Sequence, residues 1–132
     1  MLLTLINGAD AVLPGLWIGD ASSCPVAHEV GFNSLCVLED PCGTPHCHHV
    51  RILSLKDGAA MPELLEAAAD VIDRRWANLN PPLLVHCGAG VERSPLTVVW
   101  WMRRRFGLDF DTSYEWLQKL RPCVADRRMW IR

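Results

Sequence analysis

The sequence has no internal repeat, no low-complexity tract and no flexible linker. These absences exclude repeat architectures, and 132 residues suffice for one hydrophobic core but not for two domains of ordinary size. We therefore expect a single domain over residues 1–132. The first residues, MLLTLI, lack a basic segment and form an apolar run too short for a signal peptide or a membrane span. The sequence thus predicts a cytoplasmic protein without a membrane partner.

Net charge is also scarce, because the formal charge at pH 7 is only −2. The charge is nevertheless divided along the chain. Residues 1–92 carry 4 Lys and Arg against 11 Asp and Glu, whereas residues 93–132 carry 9 against 4. This division does not suit a protein that coats nucleic acid over its whole surface, so no nucleic-acid partner is expected. It suits a local anion site that the C-terminal part helps to build.

Six cysteines are present, and half of the residues are hydrophobic. The hydrophobic fraction is that of a folded globular protein. Without a secretory signal, the cysteines are expected to stay reduced, and a cysteine with activating neighbours indicates chemistry before it indicates a disulfide.

Strand and helix patterns alternate along the sequence, which is typical of α/β proteins. We expect a small mixed, largely parallel β-sheet flanked by α-helices. The predicted strands are an edge segment at Val12–Ile18 and strands at Asn33–Leu38, Val50–Leu55 and Leu83–His86. The predicted helices are Ser22–Val30, Pro62–Leu79, Pro95–Met102 with an exposed end at Arg103–Arg105, and Thr112–Leu120, the last burying Trp116, Leu117 and Leu120.

Cys87 lies where a buried strand ends and a buried helix is about to begin. Ligands of α/β sheets bind at the carboxyl ends of strands, and a helix N-terminus offers unpaired amides to an anion. Gly88 and Gly90 allow the intervening loop to curl so that its amides converge. Arg93 at the end of the loop can donate two hydrogen bonds to phosphate-like oxygens. The sequence therefore predicts a nucleophilic thiolate inside an anion cradle.

His86, Cys87, Arg93 and Ser94 form the pattern HCxxxxxRS. This pattern resembles the signature of the cysteine-dependent protein tyrosine phosphatases, and HCGAGVERSP resembles their small dual-specificity branch. LPGLWIG near the N-terminus and Arg121-Pro122 are similar to other landmarks of that branch.

The resemblance implies a protein phosphatase for phosphotyrosine, and potentially for phosphoserine and phosphothreonine, that needs no metal and no cofactor. Cys87 would form a phosphocysteine, and Asp57 would be the general acid. Ser94 would hydrogen-bond the sulfur, and His86 would order the loop. The phosphate would be bound by the remaining loop residues, Gly88, Ala89, Gly90, Val91, Glu92 and Arg93.

Four acidic residues besides Asp57 leave questions open. Glu39 and Asp40 also lie on a loop and compete with Asp57 as the acid. Glu92 is expected to point outward, towards a basic substrate residue or an arginine of the same surface. Asp126 lies where the family usually has an asparagine that supports the loop, and its charge would raise the pKa of Cys87 if the two were close.

The loop between the second and third predicted strands contains Cys42, His46, Cys47, His48 and His49. These are zinc-binding residue types, but no second ligand pair follows at matching spacing, so we do not expect a metal site. Cys36 or Cys42 is instead a candidate resolving thiol that protects an oxidised Cys87 as a disulfide.

Alternative functions remain open from the sequence alone. One is an RNA 5′-triphosphatase, which should have a more basic loop. Another is a module that binds phosphorylated proteins without turnover. A third is a rhodanese-like or arsenate-reductase-like thiol enzyme with a similar Cys-x5-Arg loop. The lack of lysine in the loop also disfavours a phosphoinositide substrate. The physiological substrate and the oligomeric state are not indicated.

Overall fold

The fold is built on a mixed β-sheet, seen in a computed structural model that describes residues 6–52, 60–76 and 81–131. Within these residues the sheet has five strands in the order β1-β2-β5-β3-β4. They are β1 (Ala9–Leu13), β2 (Leu16–Gly19), β3 (Asn33–Cys36), β4 (His48–His49) and β5 (Leu83–His86). Only the β1–β2 pair is antiparallel. The predicted fold class, a largely parallel sheet flanked by helices, is confirmed.

The helices follow the predicted order. They are α1 (Ser23–Glu29), α2 (Pro62–Trp76), α3 (Arg93–Phe106) and α4 (Phe110–Leu120), followed by a short 3₁₀ turn at Arg128–Trp130. Asp109 caps α4 by accepting a hydrogen bond from the Thr112 amide at 2.7 Å. Gly107, in the left-handed conformation with φ 70°, ends α3. None of the helices in the described ranges is long and apolar enough to cross a membrane.

Strand β5 lies at the centre of the sheet and positions the segment after it. All four residues of LLVH are buried, as expected for a strand with parallel neighbours on both sides. In the register, His86 is opposite Gly19 of β2 and Cys36 of β3. The carboxyl ends of three strands are therefore level. The amide of Ala21 also donates to the carbonyl of Gly88 at 2.9 Å, which ties the start of the next loop to the end of β2.

Two strand predictions were wrong in their details. The predicted edge segment Val12–Ile18 is a hairpin, because Gly15, with φ 77°, closes a turn between β1 and β2. Of the two hairpin strands, only β1 is at an edge of the sheet, since β2 pairs with β5 on its other side. Residues 50–52 of the predicted strand Val50–Leu55 are not in a strand, and the pairing with β3 is made two residues earlier, by β4. Residues 53–55 lie outside the described residues.

The helix predictions differ at their ends and in one buried face. Helix α3 begins at Arg93 rather than Pro95, and residues 77–79 of the helix predicted up to Leu79 lie outside the described ranges. On α4 only Leu117 of the three predicted core residues is buried, since Trp116 is 44% exposed and Leu120 37%. Trp116 lies at the edge of the core, and its Nε1 donates a hydrogen bond to the carbonyl of Val12 at 2.8 Å.

The arginines that end α3 have partners within the chain. Arg104 bridges to Glu66 at 2.7 Å and to Asp70 at 2.8 Å, both on α2. Arg103 lies over the ring of Phe110, 4.0 Å from its centroid. These contacts hold α3 against α2 and α4. Arg103 and Arg104 thus interact with residues of the same chain.

Candidate active site at the end of strand β5

The loop between β5 and α3 forms a cup around the Cys87 sulfur. Cys87 is only 3% exposed, and Arg93 begins α3 on the opposite side of the loop. A cavity of about 230 Å³ opens here. Its lining consists of Cys87, Gly88, Ala89, Val91, Glu92 and Arg93. The structure thus brings together the predicted nucleophile and five of the six predicted phosphate-binding residues around one cavity.

Cys87 is set up to ionise. Burial disfavours the thiolate, but hydrogen bonds from the Ser94 side chain and from the amides of Ser94, Gly90 and Glu92 outweigh it, so the pKa of Cys87 is lowered. The Ser94 hydroxyl lies 3.3 Å from the sulfur. This contact agrees with the predicted role of Ser94.

Arg93 presents a donor towards an anion. Its Nε is buried and has no hydrogen-bond partner among the described residues, although Arg93 lines the cavity beside Cys87. A buried donor without a partner is costly, and a bound oxyanion would satisfy it. The backbone carbonyl of Arg93 accepts from the Thr97 hydroxyl at 2.8 Å, which holds the first turn of α3 together.

His86 is fully buried directly before the nucleophile. Its Nδ1 lies 3.3 Å from the carbonyl oxygen of Cys87, in agreement with a role in ordering the loop. Its other ring nitrogen, Nε2, lies 3.7 Å from the sulfur of Cys47. Burial disfavours the charged imidazole, but contacts with the Cys24 sulfur and the Cys87 carbonyl raise the pKa of His86.

Arg121 supports the loop from below, a role that the sequence did not reveal. Its Nε donates to the carbonyl of Gly90 at 2.9 Å, and its Nη2 donates to that of Ala89 at 3.2 Å. An ion pair of 2.8 Å with Asp10 of β1 holds the guanidinium in place. The Arg-Pro pair after α4 was recognised as a landmark, but nothing local to it indicates which carbonyls the side chain binds.

Two acidic residues, Glu92 and Asp126, depart from the pattern of the family, and each pairs with an arginine. Glu92 points outward and pairs with Arg127 at 2.8 Å, so the prediction that it meets an arginine of the same surface is confirmed. Asp126 pairs with Arg128 at 2.6 Å. This segment contacts the catalytic loop through the backbone of the preceding residue: the amide of Ala125 donates to the carbonyl of Val91 at 2.9 Å.

Asp57, the predicted general acid, lies outside the described residues. Of the competing acids, Glu39 is paired with Arg51 at 2.8 Å on the exposed surface.

Cys36 and Cys42, the candidate resolving thiols, lie close enough to influence each other. Cys36 lies beside His86 in the register of β3 and β5. Burial raises the pKa of Cys36 to about 11, which leaves it protonated at neutral pH. Cys42 lies 4.0 Å from the sulfur of Cys24. That either thiol traps an oxidised Cys87 stays a prediction.

A set of metal-binding side chains lies behind the loop. The ligand atoms of four residues are all within 4.8 Å of one another, and these residues are Cys24, Cys42, Cys47 and His86. The sequence argument looked for a second pair of ligands at matching spacing after the loop, whereas the structure brings a further cysteine and a histidine from α1 and β5. His48 and His49 have other partners, since His48 accepts from Arg75 at 3.1 Å and His49 donates to the Leu38 carbonyl at 2.9 Å.

Comparison with known proteins gives a consistent result. No family model matches the chain. Human dual specificity protein phosphatase 16 is 24% identical over 127 residues, which cover 89% of this chain and 19% of that protein. Mouse protein phosphatase Slingshot homolog 3 is 28% identical over 85 residues, covering 64% of this chain and 13% of that protein. The chain thus spans about a fifth or less of the length of these relatives.

Solved structures show the same fold. The crystal structure of DUSP15 superposes with a TM-score of 0.74 at 21% identity, covering 94% of this chain and 83% of that one. The predicted resemblance to the small dual-specificity phosphatases is thereby confirmed in sequence and in fold.

Proposed function

We propose that this chain, which has the fold of the dual-specificity phosphatases, is a single catalytic domain that hydrolyses phosphotyrosine in protein substrates, with phosphoserine and phosphothreonine as further substrates. The observation that carries this proposal is the arrangement of Cys87 and Arg93 around one cavity. A thiol with a lowered pKa lines the same cavity as Arg93, whose buried Nε donor lacks a partner within the described residues. A phosphate dianion supplies both the electrophile and the missing hydrogen-bond acceptor.

In the first step the Cys87 thiolate attacks phosphorus, and the bond to the tyrosyl oxygen breaks. The carboxylic acid of Asp57 gives its proton to that oxygen, so tyrosine leaves as a neutral phenol. The loop amides and Arg93 hold the equatorial oxygens, whose charge is greatest in the transition state. The product is a phosphocysteine and an ionised Asp57.

In the second step a water molecule attacks the phosphorus of the phosphocysteine, and the ionised Asp57 takes up a proton from that water. The sulfur–phosphorus bond breaks, and Cys87 leaves as a thiolate. The Ser94 hydroxyl, 3.3 Å from the sulfur, stabilises this leaving group. Inorganic phosphate is released and both side chains return to their starting protonation states.

The other candidate functions have less support. The loop from Gly88 to Glu92 contains no lysine, whereas a polyphosphate end or an inositol phosphate headgroup favours additional positive charge. The Glu92 carboxylate at the rim also favours a substrate of modest charge. A reducing, cytoplasmic setting fits the reaction, because the thiolate must stay reduced and all six cysteines are free in the described structure.

The proposal is tested by hydrolysis of p-nitrophenyl phosphate, phenyl phosphate and a phosphotyrosyl peptide. We expect Cys87→Ser to abolish turnover of all three. Asp57→Asn should lower the rate by about 10²- to 10⁴-fold on phenyl phosphate and by much less on p-nitrophenyl phosphate, whose leaving group needs no proton. Cys123→Ser, which removes an exposed cysteine, is the matched control and should retain the full rate.

Wild-type protein that binds the phosphopeptide without hydrolysing it would establish a binding module instead. Faster hydrolysis of a 5′-triphosphorylated oligoribonucleotide than of the phosphopeptide would overturn the assignment to protein substrates. An equal loss of kcat/KM on both aryl phosphates in Asp57→Asn would remove Asp57 from the role of general acid, because kcat/KM reports the first step and excludes the hydrolysis step common to both substrates.

A further inference from the structure

Three sulfurs and one imidazole nitrogen converge behind the catalytic loop. We call this set the Cys3His cluster, and its members are Cys24, Cys42, Cys47 and His86. The Cys24 sulfur lies 3.8 Å from that of Cys47 and 4.0 Å from that of Cys42. The Cys47 sulfur lies 3.7 Å from Nε2 of His86. The four ligand atoms thus surround one point.

The spacing of these atoms matches tetrahedral coordination. With Zn–S bonds of about 2.3 Å and Zn–N bonds of about 2.0–2.1 Å, a tetrahedron places its sulfurs about 3.8 Å apart and sulfur and nitrogen about 3.6 Å apart. Three of the six separations in the cluster are 3.7–4.0 Å, close to these values, and all six are within 4.8 Å. A disulfide requires sulfurs about 2.05 Å apart, and it would use two of the three thiols and leave the third with the imidazole.

The ligand types and their sequence positions also favour zinc. Cys42 and Cys47 come from one loop and are separated by four residues, a spacing found in zinc sites. Cys24 is in the first turn of α1, and His86 is the last residue of β5. Two ligands from one loop and two from rigid elements are a common arrangement of structural zinc sites. Four protein ligands leave no open position for catalysis.

The surroundings supply the outer contacts that a metal site requires. His86 faces the cluster through Nε2, and its Nδ1 lies 3.3 Å from the Cys87 carbonyl. A metal on Nε2 fixes the proton on Nδ1, which then donates to that carbonyl. The Ser34 hydroxyl, 3.5 Å from the Cys24 sulfur, can donate to a thiolate there. Apolar side chains, among them Phe32 and Leu84, pack against the cluster, while Cys42 and Cys47 are half-buried.

We propose that the Cys3His cluster binds one Zn²⁺ ion as a structural site. The ion replaces the thiol protons, which are released to solvent, and bonds to three thiolates and a neutral imidazole. It joins the loop between β3 and β4 to α1 and to the end of β5. Because Nδ1 of His86 contacts the carbonyl of Cys87, the metal on Nε2 also fixes the backbone at the start of the catalytic loop. This proposal does not depend on the phosphatase activity, since it concerns only ligand geometry.

Metal content of the purified, reduced chain is the direct test. After expression with added zinc and dialysis against metal-free buffer, we expect about one zinc per chain by elemental analysis. Unfolding followed by exchange into Co²⁺ should give the intense visible bands of tetrahedral cobalt and thiolate-to-cobalt charge transfer in the near ultraviolet. Both readouts are independent of substrate turnover.

Variants locate the ion. Cys42→Ser and Cys47→Ser should each lower the zinc content to roughly a tenth of the wild-type value or less. Cys36→Ser is the matched control, because Cys36 is a buried cysteine of the adjoining strand outside the cluster, and it should retain zinc. Cys87→Ser should also retain zinc, which separates the proposed site from metal bound to the catalytic thiolate.

Two results would overturn the proposal even where a variant fails to fold. One is a reduced, folded wild-type chain that contains no zinc and gives no thiolate-to-cobalt charge transfer on titration with Co²⁺. The other is loss of the metal in Cys87→Ser but not in Cys42→Ser. A disulfide between Cys24 and Cys42 or Cys47, found by mass mapping in a metal-free folded protein, would count against zinc as well.

Discussion

The guanidinium of Arg121 lies against the backbone of Gly90, to whose carbonyl it donates at 2.9 Å. The contact joins the end of α4 to the middle of the catalytic loop. With its carbonyls turned towards Arg121, the loop can direct its amides towards the cavity. The side chain therefore organises an anion site without bonding to the anion.

Replacing Arg121 should separate positioning from catalysis. Arg121→Met retains the aliphatic stem but leaves the carbonyls of Ala89 and Gly90 without a donor, so we expect a loss of about 2–4 kcal/mol in the free energy of unfolding. A displaced loop should lower kcat/KM by about 10²-fold. Urea denaturation and steady-state kinetics measure the two effects.

Asp10→Asn is the control for Arg121, because it removes the charge of the ion-pair partner and leaves the loop contacts in place. The Asp10 side chain is about half exposed, and an asparagine there can still accept the hydrogen bond from Arg121, so the cost should be about 1 kcal/mol. The rate at which iodoacetamide alkylates Cys87, followed as a function of pH, is a further measurement that does not depend on global stability. An unchanged pH profile in Arg121→Met would limit Arg121 to a structural role.

Gly90 and Gly88 provide a matched pair of substitutions in the same loop. Gly90 has φ 70°, and a Cβ there would lie 2.7 Å from the Gly19 carbonyl and 2.6 Å from Arg121 Nη2. Gly90→Ala should cost about 1–2 kcal/mol for the left-handed backbone and about 1–3 kcal/mol more for the clash. Gly88→Ala, whose Cβ would lie 3.8 Å from Leu38, should change stability little. Thermal unfolding of both variants checks the contrast, and equal destabilisation would contradict it.

The pH dependence of activity should follow the ionisation of Cys87. Because its pKa is lowered in the fold, the thiolate forms at a pH below the usual range of a thiol, and kcat/KM should rise with pH through that lowered value. Ser94→Ala removes one cause of the lowering, so the acid limb of the profile should move to higher pH. The control is Ser113→Ala, which removes a buried hydroxyl of α4. If Ser94→Ala leaves the limb in place, the Ser94 contact does not stabilise the thiolate.

The Glu92–Arg127 pair should screen the rim of the cavity. Arg127→Met leaves the Glu92 carboxylate without its partner beside the phosphate site, so we expect KM to rise by about 2–5-fold at low ionic strength. Glu92→Gln alone should change KM little. Combining the two substitutions should return KM to the value of Glu92→Gln, since the uncompensated charge is gone. Independent, multiplying effects in the double variant would show that the pair does not act as a unit.

Local patterns predicted the centre of the fold and the nucleophile. The segment from Leu83 to Met102 carries an apolar strand, a glycine-containing loop and an apolar helix in direct succession, so its geometry follows from contiguous residues. The sequence did not separate β1 from β2, and it placed β4 too late in the chain. With five residues in β1 and two in β4, the hydrophobic periodicity is weak, and the strands they pair with decide where they begin and end.

The supporting contacts could not be predicted, because they join distant parts of the chain. Arg121 meets Gly90 from 31 positions away, and His86 meets Cys47 across 39. The parallel pairing of β3 with β5 brings the Cys42–Cys47 loop near His86, and no spacing rule within a single segment contains that information.

The ion pair between Asp10 and Arg121 joins positions 111 residues apart. A chain leaving the ribosome exposes Asp10 and Cys87 well before Arg121, so Cys87 emerges before the guanidinium that supports its loop has been synthesised. Long-range contacts of this kind form late, because they close a large loop of chain. We therefore expect the reactive thiol to gain its anion cradle late in folding, only after the segment that carries Arg121 has been translated.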